Sequence, residues 1–183
     1  MRDGGEDPTT VLVVEDEDAV ADLFEDALGG YEVLVADNGA EALSLLGEDV
    51  DIVLLDRRMP DVSGDQVLAE LEDRALDCRI AIVSAVDPDF DIIDMGFDDY
   101  LVKPVRPNEL RETVERLELL TDFEAKHQEL SSKLVKRNIL EVEKEDGDLD
   151  DSEEFVELTE RIEELEAELD ELEGEFDDRL LPT

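Results

Sequence analysis

Cationic side chains are scarce in this chain: 16 lysines and arginines face 57 aspartates and glutamates among 183 residues, a formal net charge of -41. A surface that tracks a nucleic-acid backbone needs clustered cations clear of acids, so most of the chain reads against one. Cysteine is scarcer still. Cys78 stands alone among charged neighbours, which excludes a disulfide framework and leaves nothing that suggests export. The opening MRDGGEDPTT has neither a cationic nor an apolar region. We therefore expect no signal peptide and no membrane span, and a cytoplasmic protein. Self-repulsion at this charge would strain a compact state in ordinary salt, whereas in molar salt the Debye length falls to about 3 Å. A cytoplasm with very high salt is the simplest habitat. A disordered acidic protein is the competing reading, and it fails for residues 10 to 120, where apolar runs recur at regular intervals.

Those runs alternate in kind. TVLVV at 10 to 14, YEVLVA at 31 to 36, DIVLL at 51 to 55, RIAIVS at 79 to 84 and YLVK at 100 to 103 read as strands. Between them, 18 to 28, 39 to 47, 64 to 72 and roughly 88 to 95 carry apolar residues three or four apart and read as helices. Strands apolar on both faces and separated by helices imply a parallel α/β sheet covered on both sides. Pro107 suits the first turn of a fifth helix running through Leu110, Val114, Leu117 and Leu120.

Beyond residue 120 the strand signal ends. Segments 122 to 144 and 152 to 178 read as helices, with EDGDLDD at 145 to 151 as the turn between them. Phe155, Leu158, Ile162, Leu165, Leu169, Leu172 and Phe176 form a heptad seam on an otherwise acidic helix, which needs an apolar partner. Leu120, Phe123, His127, Leu130 and Leu134 offer a weaker one. The short connection favours an antiparallel hairpin, with pairing between chains as the alternative. We expect two domains, 9 to 120 and 121 to 183.

Ligands of open α/β sheets bind outside the carboxyl ends of the strands. Asp56 ends the third strand, Glu15 and Asp16 follow the first, Ser84 ends the fourth and Lys103 the fifth. Each alone reads as a solvated cap or surface charge. Together they put three carboxylates, a hydroxyl and an amine on one edge. Acids so close raise one another's pKa unless a cation sits among them, and a hard divalent ion, magnesium foremost, suits them. Asp56 could then attack a phosphoryl group, with the metal and Lys103 neutralising the transferring oxygens and Ser84 reaching them by hydrogen bond.

VLVVEDE at 11 to 17, LLDRRMPDVSG at 54 to 64, IVSA at 82 to 85 and DDYLVKP at 98 to 104 resemble, in order and separation, the receiver domain of two-component response regulators. The resemblance implies a flavodoxin-like sheet of strand order 2-1-3-4-5. It makes Asp56 the phosphoacceptor, Glu15 and Asp16 the acid pocket, and Asp16, Asp56 and the Arg58 backbone carbonyl the magnesium ligands, with Glu15 acting through water. It makes Ser84 the switch hydroxyl, Tyr100 the rotating aromatic and Lys103 the cation before a cis peptide to Pro104, and Gly64 the glycine after the acceptor loop. It implies a sensor histidine kinase as partner and no enzyme activity beyond phosphotransfer and dephosphorylation on the chain itself. Two departures stand out. Glu15 occupies a place where the family more often has Asp, and the stretch from Ser84 to Lys103 is short by about three residues, so the fourth helix should lose nearly a turn.

The carboxyl-terminal region resembles the HalX domain that follows receivers in haloarchaea. Residues 1 to 120 hold 9 basic and 33 acidic side chains, and residues 121 to 183 hold 7 and 24. Lys126, Lys133 and Arg137 share one helical face with Lys136 beside them. We read this stripe as neutralising the acidic helix folded against it rather than as a DNA contact, and His127 as a hairpin residue rather than a ligand. The preferred function is a phosphorylation-controlled switch whose output is protein interaction or homodimerisation, through the face of the fourth helix, fifth strand and fifth helix and through the C-terminal helices. A DNA-binding transcriptional regulator acting through the C-terminal region is the alternative, opposed by the lack of a helix-turn-helix pattern. A magnesium-dependent phosphatase ranks last, for want of a general acid and a substrate pocket. The cognate kinase, the stimulus and the downstream protein are not written in the sequence.

Overall fold

The computed structural model describes the backbone of residues 8–144, 149 and 152–180, with side chains up to 176. The chain divides into two compact units, Met1–Leu117 and Glu118–Thr183.

In the first unit five parallel strands, β1 (Thr10–Val14), β2 (Glu32–Ala36), β3 (Ile52–Leu55), β4 (Arg79–Ser84) and β5 (Asp99–Val102), lie in the order β2-β1-β3-β4-β5. Alternation sorts their apolar residues onto two faces. Leu12, Val14, Val53, Leu55, Ile80 and Ile82 join one core with Val67, Leu68 and Leu71 of helix α3 (Gly64–Arg74) and with Ala42 of α2 (Gly39–Leu45). Val11, Val13, Ile52, Leu54, Ala81 and Val83 alternate with them and are equally buried. Also buried are Ala21 and Phe24 of α1 (Asp18–Ala27) and Leu110, Val114 and Leu117 of α4 (Pro107–Glu143). Each such side chain contributes roughly 1.5–3 kcal/mol on burial. The Arg111 guanidinium donates to the carbonyls of Ala27 and Gly29, and Arg116 pairs with Asp99, so the first turns of α4 are tied to the end of α1 and to β5.

Local chemistry sets the helix starts. Ser63 and Gln66 form a reciprocal capping box at α3, and the Asn38 side chain accepts from the Glu41 amide at α2. The segment expected as a shortened fourth helix is reduced further, to a 3-10 turn at Phe90–Asp94. Pro88 precedes it and Gly96 follows it. The Asp89 side chain accepts from the Phe90 amide, and Glu72 of α3 accepts the Gly96 amide at 2.9 Å. Local bonds of this kind compete with an α-helical ladder, and the few residues left between Pro88 and Gly96 hold less than two α-helical turns.

In the second unit α4 continues to Glu143, and α5 spans Glu153–Leu180. Ile162, Leu165 and Leu169 of the heptad seam are buried; Phe155, Leu158, Leu172 and Phe176 are half-buried. Phe123 meets Phe176 edge to face at 6.0 Å, Lys126 pairs with Glu168, and Arg161 bonds Glu129 at 3.1 and 3.2 Å. Early residues of α4's second half thus meet late residues of α5, which makes the hairpin antiparallel within one chain. His127, expected in the weaker seam, is exposed against the ring of Phe123 at 6.0 Å, because Lys126 and not His127 faces α5. Lys126 neutralises an acid of the facing helix, whereas Lys133 and Arg137 lie 3.7 Å from Glu129 and Glu141 of their own. The turn expected at 145 to 151 lies, Leu149 aside, outside the described residues. Among the described residues no helix is long and apolar enough to cross a membrane.

Candidate phosphoacceptor site

The parallel register aligns Val14 with Ala36 on one side and with Leu55 on the other, Leu55 with Ile82, and Ser84 with Val102. The residue after each of three strands stays on the ladder. The amide of Glu15 donates to Ala36 at 3.1 Å, that of Asp56 to Val14 at 3.0 Å and that of Lys103 to Ser84 at 2.9 Å. Polar side chains at these positions are therefore carried by a sheet, not by loops, and they stand side by side at its carboxyl edge.

Glu15, Asp16 and Asp56 each bring one carboxylate oxygen within 4.8 Å of the others. Glu15 is 2% exposed and Asp56 7%, while Asp16 faces solvent. Lys103 spans the two buried acids, its Nζ donating to Glu15 Oε2 at 2.5 Å and to Asp56 Oδ2 at 2.9 Å. Asp56 Oδ1 accepts from the Arg58 amide at 3.0 Å, which sets the Arg58 backbone on the rim of the cluster. Burial pushes the Glu15 carboxyl above its ordinary range despite the opposing Lys103, and its Oε1 accepts from the Glu17 amide at 3.2 Å. Burial also pulls on Lys103, but its hydrogen bonds to Glu15 and Asp56 prevail and hold the ammonium above its usual value. The donor set consists only of carboxylate oxygens with one open to water, which is what a hard divalent cation selects. Three acids balanced by a single amine also leave the site two positive charges short.

Ser84 is fully buried and its Oγ accepts from the Val86 amide at 3.3 Å. Tyr100 is half-buried, edge-on to Phe97 at 5.8 Å, and its hydroxyl donates to the Val86 carbonyl at 2.7 Å. Both residues thus hold the connector that leaves β4. The peptide between Lys103 and Pro104 is cis. Gly64 sits where a Cβ would lie 2.1 Å from the Asp56 carbonyl oxygen, so only glycine lets α3 approach Asp56 this closely.

Sequence reasoning did not single out Arg57. Its guanidinium donates to both carboxylate oxygens of Asp65 at 3.0 and 3.2 Å and to Asp91 at 2.6 Å, and the side chain is 11% exposed. Hydrogen bonds to Asp65 and then Asp91 hold it firmly in the charged form. Its partners lie eight and thirty-four positions away, which no local pattern discloses. With Arg58, Val86, Asp87 and Asp89 these residues line an open cleft of about 550 Å³.

The family model of the response regulator receiver domain matches residues 11–115, and that of the HalX domain matches residues 119–181. A Haloferax volcanii protein, named provisionally as a transcriptional regulator, is 52% identical over 117 residues, 63% of this chain and 20% of that protein. The response regulator SaeR of Staphylococcus epidermidis is 37% identical over 107 residues, 56% of this chain and 47% of that protein. The chain therefore spans about a fifth and about half of these relatives. Among solved structures, the response regulator TrrA of Thermotoga maritima, in complex with Mg(2+)-BeF, is similar at 33% identity and a TM-score of 0.52, over 60% of this chain and 98% of that one.

Proposed function

This chain belongs to the response regulator receiver family and carries a HalX domain behind the receiver, and from that premise we propose that Asp56 accepts a phosphoryl group from a sensor histidine kinase in a magnesium-dependent reaction. The observation that carries this reading is the state of the Asp56 carboxylate. One oxygen is held by a backbone amide and the other by Lys103, beside two further acids at a sheet edge. Glu15, Asp16, Asp56 and the Arg58 carbonyl are the groups that would hold the cation, which when bound neutralises charge on the transferring oxygens.

The remaining steps belong to the chain's own residues. An Asp56 oxygen attacks phosphorus as the bond from phosphorus to the kinase imidazole nitrogen breaks. The electron pair stays on that nitrogen, and an acyl phosphate is left on Asp56. Lys103, already bonded to Asp56 Oδ2, follows the new charge, and Ser84 gives up the Val86 amide and turns its hydroxyl to donate to a phosphoryl oxygen. Hydrolysis reverses the modification when water attacks the same phosphorus and the carboxylate leaves. No turnover of an external substrate is assigned to the chain.

Moving Ser84 and Lys103 inward disturbs the β4–β5 connector at Val86, where Tyr100 is anchored. Release of Tyr100 would then alter the face of β5 and the 3-10 turn, and this face and the C-terminal helices form the protein-interaction output, in the cytoplasm. To matter, phosphorylation must bias an existing equilibrium by a few kcal/mol. Incubation with acetyl phosphate and magnesium in molar potassium chloride, followed by intact-mass measurement, tests the acceptor. One added phosphoryl group is expected on the native chain and none on Asp56→Asn. Equal modification of the variant, or none on the native chain, would sink the reading.

A further inference from the structure

Residues 130–140, LSSKLVKRNIL, are the longest stretch of this chain without an acidic side chain, and they carry Lys133, Lys136 and Arg137. In a chain where acids make up 57 of 183 residues, this gap is where the acidic surface stops. It lies on α4 within the helical unit. Leu130, Leu134 and Leu140 are half-buried there. Around the helix from them, Val135 is 58% exposed, Ile139 57% and Val142 82%. Scattered exposed apolar residues are ordinary, but three at steps of four and three make a second seam on a helix that already has one. Along its flank runs an open groove of about 660 Å³ in which Ile139, Leu140 and Leu158 lie among Lys133, Lys136 and Arg161, with Glu154 and Glu157 of α5 also lining it.

Charge placement selects the occupant. With Val135 and Val142 at position d of a heptad and Ile139 at a, Lys136 and Glu143 both fall at e, while Ser131 and Asn138 fall at g. A parallel pair sets e against g and opposes no charges. An antiparallel pair about a two-fold axis between Ile139 and Leu140 sets e against e, which brings Lys136 against Glu143 of a second copy, twice by symmetry. Neither residue has an ion pair with another described residue. Duplex DNA fits the face less well: exposed valine and isoleucine give phosphates nothing to bind, and phosphate binding collapses with salt while apolar burial does not.

We propose that the outer face of α4, with Val135, Ile139 and Val142 flanked by Lys136 and Glu143, is a self-complementary docking surface for a second copy of this chain, the two helices antiparallel. It stands on the helical unit alone and is independent of phosphate on Asp56. The test is sedimentation equilibrium of the full, unphosphorylated chain in about 0.5 and about 2 M potassium chloride, conditions that differ in screening. A concentration-dependent dimer is expected at both. Ile139→Glu should be monomeric while keeping its helical circular dichroism. At the lower salt Lys136→Glu and Glu143→Lys should each weaken association about tenfold. Combining them in one chain, or mixing the two single variants, should restore it, which a merely structural role would not. A native chain monomeric at hundreds of micromolar, a dimer indifferent to Ile139→Glu, or charge reversals that fail to rescue would overturn the proposal. So would a monomer that binds duplex DNA and loses it on Lys136→Glu. Phosphorylation of Asp56 can succeed or fail without affecting any of these outcomes.

Discussion

The buried acid at position 15 shows what a side chain proposed to help hold a cation would cost in stability. Glu15 is almost fully buried, and its carboxyl is pushed up first of all by that burial, with Asp56 adding to the rise and Lys103 and the Glu17 amide opposing it. A carboxyl that binds its proton more tightly folded than unfolded contributes stability at low pH and loses it as pH rises through the folded value. The decline therefore begins near the ordinary value of 4.5 and ends above it. Glu15→Gln removes the titration. In chelator, the unfolding free energy of the native chain minus that of the variant should fall as pH rises from about 4 and then level off. Magnesium should favour the native chain, because the variant loses the charge that Glu15 presents to the cation through water; titration calorimetry should show affinity lower by about tenfold. Denaturant melts across pH check the first half, and a native chain whose stability rises across that interval relative to the variant would refute the role given to burial.

At the level of elements, the segment between β4 and β5 is where the molecule departs most from what its sequence suggested. Five strands and the carboxyl edge were legible because apolar runs of strand length separated by helical spacing leave few alternatives, and the site residues sit at the ends of those runs. The 3-10 turn at Phe90–Asp94 was not. Apolar residues at helical spacing say that a helix would be amphipathic, not that enough residues remain to nucleate one between Pro88 and Gly96. Nor could spacing show what replaces it, since Arg57 reaches Asp91 from the loop after β3 and Glu72 reaches the Gly96 amide from α3. Phe90 and Ile93 remain 85% and 74% exposed, so apolar packing contributes little to holding the turn. Arg57→Ala should then speed amide exchange in residues 90–96 by about tenfold while shifting the global unfolding midpoint little. Asp91→Asn should do the same for the turn but leave the Asp65 pair intact. Exchange measured by mass spectrometry distinguishes this from general loosening, in which β1 and β3 would exchange faster too.

For the whole molecule, charge constrains both stability and the form any signal can take. Phosphorylation of Asp56, as proposed, would exchange one carboxylate charge for the roughly two of an acyl phosphate, adding about one negative charge to a formal net of -41. Repulsion scales with the square of the net charge and would rise by only about 5%, so a phosphate on Asp56, as proposed, would have to act through the groups it touches at the sheet edge. Folding, by contrast, responds to the total. The Debye length is about 10 Å at 0.1 M salt and about 3 Å at 1 M, so most of the repulsion among surface acids is screened within that range. We expect the thermal midpoint to rise steeply between about 0.1 and 1 M potassium chloride and more slowly beyond it. Sodium chloride should match it at equal ionic strength. The alternative is that salt acts by strengthening apolar burial, which requires continued gain at higher concentration and a larger effect of sulfate than of chloride. The helical unit discriminates between the two, because its fully buried seam is short, Ile162, Leu165 and Leu169, and α5 from 153 to 176 carries twelve acids against Arg161 alone. If screening governs, helical circular dichroism lost at low salt should return by about 1 M in chloride and sulfate alike when ionic strength is matched. Recovery in sulfate alone would assign the dependence to burial instead.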